Sequence, residues 1–353
     1  MPRKRLLPLV HATRASLSRP RPCGAKPVPV KKGHAKQARR SKKPKPQGVY
    51  TGFTGAIPEP ELRKPVARVP AGRRRLGVLS WNVGGLRAFL ASEDRSADLQ
   101  KAVKEARPEV IGLLEHKLQE GDRHGVLDVL LDVLPDFELG AVNYSTARKG
   151  FSGSLVLLRK GSEALKVLAE DLPSAANEGR LIVVEYKELF VVLCYVPNSG
   201  GGLKRLSQRV HHWDAELRTR LGVLLAKKKA VVLMGDLNVA HEDKDIWNAQ
   251  APHVFKSAGT TPQERESFTK LLESGFVDGF SVSHPQVLGA FTYWSVRAGN
   301  RKKNRGLRLD YVLASKGMVS KRGDSNGPFL VDTFHLPKLA PGDHCPVGAV
   351  IAI

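Results

Sequence analysis

The chain has 353 residues, 41% hydrophobic and 26% charged, with a formal net charge of +23. That length holds one large domain or two ordinary ones. Three scattered cysteines (Cys23, Cys194, Cys345) offer neither a disulfide framework nor a zinc site and suit a reducing compartment, and no apolar run approaches the ~18 residues of a membrane span.

The charge is uneven. Residues 1–75 carry 21 Lys/Arg against Glu59 and Glu61, a net of +19, which leaves +4 for residues 76–353. The basic character therefore belongs to a tail and says little about what the folded part binds. Rich in Pro, Lys, Arg and Gly and without periodicity, residues 1–75 are expected to be disordered. Lys31, Lys32, Lys36, Arg39, Arg40, Lys42, Lys43 and Lys45 read as a nuclear localisation signal or a nucleic-acid patch. The acid-free first 22 residues resemble a mitochondrial transit peptide, although Pro8, Pro20 and Pro22 oppose a long presequence helix. The nucleus is expected ahead of the mitochondrion, and the folded domain is expected over residues 76–353.

Along that domain, Leu76–Asn82 reads as a strand ending at Asn82, and Ala97–Ala106 as a helix stopped by Pro108. Val110–Leu114 is an apolar strand running into Glu115. Ser154–Leu158, Leu181–Glu185 and Phe190–Tyr195 follow as strands, the last entering Tyr195-Val196-Pro197-Asn198. A long helix is expected around Leu203–Ala226. The next strand, from Val231, is an unbroken apolar run into Gly235, Asp236, Leu237 and Asn238, the mark of a strand buried on both faces. Asp236 and Asn238 stand two apart, so on an extended backbone they point the same way. Thr261-Pro262-Gln263-Glu264 has the form of a capped helix start, with the helix reaching about Ser274. Leu309–Ala314 carries Asp310, and Pro346–Ile353 closes the chain after Asp343-His344. Strands and helices alternate, which places the fold in the α/β or α+β class. Six strand tips bear polar residues: Asn82, Glu115, Tyr195/Asn198, Asp236/Asn238, Asp310 and Asp343/His344. Spread over about 260 residues, they read as one pocket built from many strand ends.

Seven segments carry a resemblance. S-W-N-x-x-G-L-R-A at Ser80–Ala88, E-x-K at Glu115–Lys117, Y-V-P-N at Tyr195–Asn198, G-D-L-N-V-A-H-E at Gly235–Glu242, T-P-Q-E-R at Thr261–Arg265, R-L-D-Y at Arg308–Tyr311 and D-H-C-P at Asp343–Pro346 stand in the order found in one family. The chain resembles the exonuclease III class of apurinic/apyrimidinic endonucleases, within the endonuclease/exonuclease/phosphatase superfamily. The resemblance covers residues 76–353 and none of the tail. It implies a four-layered α/β sandwich of the DNase I-like kind, two packed mixed β-sheets flanked by helices. It implies hydrolysis of the phosphodiester 5′ to an abasic site in double-stranded DNA, with 3′-phosphodiesterase action on blocked 3′ ends and weak 3′→5′ exonuclease activity. The chain is expected to act as a monomer without a membrane partner. Two other readings stay open: a phosphoesterase of the same superfamily acting on phosphoinositides or lipids, and a non-catalytic DNA-binding protein.

The resemblance also assigns roles. Asp236, with Asn238 beside it, would orient and deprotonate the attacking water. An isolated Asp, with pKa ~3.9, is a weak base, so burial or neighbouring carboxylates must assist. Glu115 would be the principal ligand of Mg²⁺, with Mn²⁺ as a substitute, and Asp343 an outer ligand. His344 would hydrogen-bond the scissile phosphate, and Asp310 would hold its other ring nitrogen. Asn82, Tyr195 and Asn198 would complete the site. Tyr293, Leu307 and Leu309, with Trp294 close by, would form an apolar slot for the base-free sugar. Arg301, Lys302, Lys303 and Arg305, flanking Asn304 in one loop, would meet DNA phosphates, Arg205 and Arg209 after Y-V-P-N would do the same, and Arg297 would belong to the clamp on the duplex.

Six positions depart from the family pattern. Gly84 stands where relatives carry Asp or Asn, Leu114 where they carry Gln, and Gly201 where an Arg reaches into the DNA groove. Arg297 takes the place of a wedging Met, Leu307 that of a Trp in the sugar slot, and Ser257 that of a DNA-contacting Asn. A wider slot is expected to favour blocked 3′ ends relative to abasic incision.

Overall fold

The computed structural model describes residues 57–319, 327–339 and 342–353, all within one compact unit spanning Val49–Ile353. The basic cluster and the transit-like segment lie outside the described residues. No helix among the described residues is long and apolar enough to cross a membrane.

Twelve strands are described: β1 (Arg75–Asn82), β2 (Val110–Leu114), β3 (Phe137–Asn143), β4 (Ser154–Arg159), β5 (Lys166–Glu170), β6 (Leu181–Glu185), β7 (Leu189–Tyr195), β8 (Ala230–Asp236), β9 (Phe276–Asp278), β10 (Asp310–Ser315), β11 (Phe329–His335) and β12 (Val347–Ala352). They form two six-stranded sheets, β11-β12-β1-β2-β4-β3 and β5-β6-β7-β8-β10-β9. In each sheet one central pair is parallel, β1 with β2 and β7 with β8, and every other pairing is antiparallel. The mixed sheets of the expected sandwich are therefore present.

The central strands are nearly continuous apolar runs because both of their faces are covered. Successive side chains alternate between layers. Val78, Val191, Val232 and Met234 fill the space between the sheets. Leu79 and Trp81 turn outward to the helices α1 (Leu86–Leu90), α2 (Glu93–Ala106) and α3 (Arg123–Val133). Val192, Val231 and Leu233 turn the other way, to α4 (Asp214–Leu225) and α5 (Pro262–Glu273). The α5 start is as expected: the Thr261 hydroxyl accepts from the Glu264 amide, and the Glu264 carboxylate accepts from Thr261 N–H.

The helix expected over Leu203–Ala226 is interrupted. A 3₁₀ turn at Gly201–Leu203 and a π turn at Arg209–Trp213 precede α4. At the π turn the buried guanidinium of Arg209 donates to the carbonyls of Pro197, Leu237 and Asn238 at 2.8–3.0 Å. The extra residue in that turn aims the side chain inward.

The domain also begins earlier than residue 76. Ile57 is buried with Phe291, Trp294 and Cys345. Arg63 pairs with the buried Asp332, which also accepts from Val66 N at 3.0 Å. Residues 57–75 thus form a strap that packs beside Phe291 and Trp294 and against the edge strand β11, and their high Pro and Arg content conceals it. Truncating Ile57 to Ala should lower unfolding free energy in urea by ~2–4 kcal/mol, the usual cost of emptying a buried Ile site. A change below ~0.5 kcal/mol would return the boundary to residue 76.

Candidate active site

β8 delivers Asp236 at its last position. Just before it, Gly235 has φ +136°, and a Cβ there would collide with the Cys194 carbonyl oxygen of β7. Glycine is required for the two strands to pass at the point where Asp236 emerges. Asn238 follows at φ +49° and folds back, so its backbone N–H donates to Asp236 Oδ1 at 2.9 Å. Its amide nitrogen donates to Val196 O at 2.9 Å, and its amide oxygen accepts from Asn198 at 2.8 Å. Asn82, ending β1, donates from one nitrogen to Asp236 Oδ2 (2.9 Å) and to Glu115 Oε2 (3.1 Å). A single amide therefore ties together the tips of both sheets. Burial and the neighbouring Glu115 carboxylate hold the Tyr195 phenol pKa well above its ordinary value.

Asp310 sits opposite Asp236 in the β8/β10 ladder. Thr292 Oγ1 accepts from the backbone N–H groups of Leu309 and Asp310, which fixes the entry to β10. His344 Nδ1 lies 2.8 Å from Asp310 Oδ2, while Nε2 lies 3.7 Å from Asp236 Oδ2, beyond hydrogen-bond length. Burial opposes a charge on this ring, but Asp310 and Asp236 outweigh it and raise the His344 pKa to about 10. Burial raises the Asp236 pKa to about 7, and Asp310 pushes the same way against His344 and Asn82. The cluster thus holds a cationic imidazole beside a carboxylate that titrates near neutrality.

Beside it lies a cavity of about 220 Å³ whose lining includes Asn82, Gly84, Glu115, Lys117, Asp343 and His344. Its acceptors are carboxylate, amide and carbonyl oxygens, a donor set for a hard divalent cation. The Lys117 ammonium already stands there as a cation, 3.0 Å from Glu115 Oε1 and 2.8 Å from Gly84 O. Asp236, Asp310 and His344 form a second group whose ligand atoms lie within 4.8 Å of one another.

The structure brings Asn82, Glu115, Tyr195, Asn198, Asp236, Asn238, Asp310, Asp343 and His344 to one end of the two sheets. Tyr293, Leu307 and Leu309 lie together next to this end. Tyr293 bridges both Leu307 and His344, its ring centroid 5.0 Å from the imidazole. Leu309 packs with Ala240, Ile246 and Val254 behind them.

Several expected contacts are corrected. Trp294 is 1% exposed, belongs to the core beside Ile57, and donates to Asn304 Oδ1 at 2.9 Å. Asn304 is buried too and donates to Gly289 O and Pro58 O, so neither residue faces the slot or solvent. Arg209 is buried on backbone carbonyls and cannot reach a phosphate. Arg205 is paired with Glu178, and Arg301 is stacked over Trp294 and paired with Glu59. Arg305 lies over the ring of Trp247. Arg297, Lys302 and Lys303 are exposed. Sequence reasoning gave no role to Lys117, although E-x-K contains it. It also missed Arg180, buried over the Tyr195 ring at 4.6 Å, which no local signal marks.

Residues 79–344 match the model of the Endonuclease/Exonuclease/phosphatase family. An exodeoxyribonuclease of Bacillus subtilis is 36% identical over 78% of this chain and 99% of its own length. The DNA repair nuclease APEX1 of Danio rerio is 35% identical over 78% of this chain and 82% of its own. An AP endonuclease from Leishmania major superposes with a TM-score of 0.67 at 26% identity, covering 79% of this chain and 88% of that one. The two sheets with their shared polar end define a DNase I-like fold. The chain belongs to the Endonuclease/Exonuclease/phosphatase family.

Removing the carboxylate that holds His344 Nδ1 should release the imidazole's proton at lower pH. In Asp310→Asn the His344 titration, followed by ¹⁵N NMR of the ring, should fall from about 10 toward the ordinary ~6.5. An unmoved titration would show that Asp310 does not set the charge.

Proposed function

We propose that this chain is a DNA-repair endonuclease that hydrolyses the phosphodiester 5′ to an abasic site in duplex DNA, leaving a 3′-hydroxyl and a 5′-deoxyribose phosphate. The observation that carries the reading is the contact between the Asp236–Asp310–His344 cluster and the apolar wall of Tyr293, Leu307 and Leu309. Chemistry on a phosphate and a seat for a base-free sugar are then adjacent. The relatives named above, an exodeoxyribonuclease and a DNA repair nuclease, support DNA as the substrate.

Asp236, shifted to about 7, is matched to accepting a proton from water near neutral pH. Asn82 and the Asn238 amide hold its two oxygens and so orient it. His344 keeps its proton, and its Nε2–H would donate to a non-bridging phosphate oxygen while Asp310 holds Nδ1. Glu115, with Asp343 and Asn82 beside it, would hold Mg²⁺ or Mn²⁺, which supplies positive charge against the phosphate oxygens. An abasic sugar gives up little stacking when it leaves the helix, so a small apolar slot suffices to select it. Arg297, Lys302 and Lys303 are the exposed cations nearest in sequence to that slot and would meet the DNA backbone. Leu307, smaller than an aromatic, would leave room for blocked 3′ termini, giving a 3′-phosphodiesterase activity beside incision. The basic cluster of the tail supports action in the nucleus.

Incision of a duplex carrying one tetrahydrofuran residue tests the reading. The parent should cut in Mg²⁺ and not in EDTA. Asp236→Asn and His344→Ala should each lose ~10²-fold or more in turnover. A parent that leaves the duplex whole, or variants that cut like the parent, would overturn it. Leu307→Trp should raise incision relative to removal of a blocked 3′ end, and an unchanged ratio would dispose of the slot-width argument.

A further inference from the structure

Lys117 sits in the cavity with a side chain that is 35% exposed, its ammonium shared between Glu115 Oε1 at 3.0 Å and Gly84 O at 2.8 Å. The backbone is bent to put it there. Glu115 has φ +58° and Lys117 φ +60°, both in the left-handed region that side chains of this kind rarely adopt. Between them His116 is turned inward. Its Nδ1 accepts from Leu118 N at 3.0 Å, and its Nε2 donates to Asn143 O at 3.2 Å. A Cβ on Gly153, itself at φ +87°, would collide with the imidazole, so the ring is tightly enclosed. Backbone bonds from His116 N to Gly153 O and from Lys117 N to Ser152 O pin the same turn. With its centre anchored, this turn presents the heads of residues 115 and 117 on one side, toward the cavity. Gly84 completes the arrangement. Lacking a side chain, it offers its carbonyl to the ammonium, and a Cβ there would point at Asp343 Oδ1, 3.8 Å away.

We propose that Lys117 is an internal counter-ion that holds the divalent-cation position on Glu115 and must be displaced when the metal binds. The inference rests on the metal assignment made above. The backbone of the turn is fixed, but the four-carbon stem is flexible, so the head group can leave without moving Glu115. Lys117 therefore sets the metal affinity of the site. It also keeps the Glu115 carboxylate compensated when no divalent ion is present.

Binding of Mn²⁺ alone to the full-length chain, read from the electron paramagnetic resonance of the free aqua ion, tests this without reference to turnover. Lys117→Met should bind Mn²⁺ about fivefold more tightly than the parent, the scale of a partly exposed ion pair. Lys117→Arg, which keeps the charge, should stay near the parent. Equal or weaker binding by Lys117→Met would overturn the proposal. In the parent, the Lys117 Nζ resonance, assigned by its loss in Lys117→Met, should move when Mg²⁺ saturates the site. A stationary resonance would also overturn it. Glu115→Gln separates the two claims. If it binds Mn²⁺ like the parent, the metal assignment itself fails and the Lys117 proposal falls with it. If it loses binding while Lys117→Met is unchanged, only the Lys117 proposal falls.

Discussion

Two buried carboxylates, Asp236 and Asp310, occupy directly opposed positions on neighbouring antiparallel strands. Like charges so placed repel, and burial deepens the cost. What makes the arrangement tenable is the imidazolium of His344, which touches Asp310 at 2.8 Å and reaches within 3.7 Å of Asp236. The compensation is unequal. Asp310 receives the hydrogen bond, whereas Asp236 has amide donors and a longer approach to the charge, and burial, the largest effect on it, raises its pKa to about 7. One electrostatic constraint thus produces a proton acceptor and a fixed cation from three side chains.

The architecture explains how these groups meet. Each sheet has one parallel pair at its centre, and the strand beside that pair runs the other way. The end of β8 is therefore level with the beginning of β10, which places Asp236 against Asp310. By the same logic the end of β1, at Asn82, is level with the segment entering β12, where Asp343 and His344 lie. Buried ions then lock the entries. Arg308 pairs with Asp245 and Asp278, each at 2.7 Å, one residue before Leu309 and two before Asp310. Such buried pairs add little net stability after desolvation, but they fix backbone position, as Arg209 does on the turn after β7.

Much of this was legible in the sequence because the central strands are buried on both faces and so appear as uninterrupted apolar runs. β6 was bounded correctly, and the apolar run of β8 was read as a strand buried on both faces, as it is. Edge strands were harder to see. β5 reads Lys-Val-Leu-Ala-Glu and β3 contains Glu138 and Gly140, since both strands are for the most part only partly buried and little burial disciplines their composition. The site's acids and histidine stood out because polar residues recur at one strand tip after another and because seven short motifs stand in the order of one family. Arg209, Asn304 and Trp294 were misplaced for the opposite reason. A basic or amide side chain in a loop looks the same whether it grips a phosphate or a backbone carbonyl, and only the fold tells which is near. The strap from Ile57 was hidden by a composition it shares with the tail.

We propose that Asp236 and the Asp310–His344 couple act on one phosphorus atom, and a double-mutant cycle examines that directly. Single-turnover rates on an abasic duplex would be measured for Asp236→Asn, His344→Ala and the pair together. If both groups serve a single transition state, the double variant should be little slower than the worse single variant. Losses that multiply would mean that the two side chains act independently, and the shared site described here would be wrong.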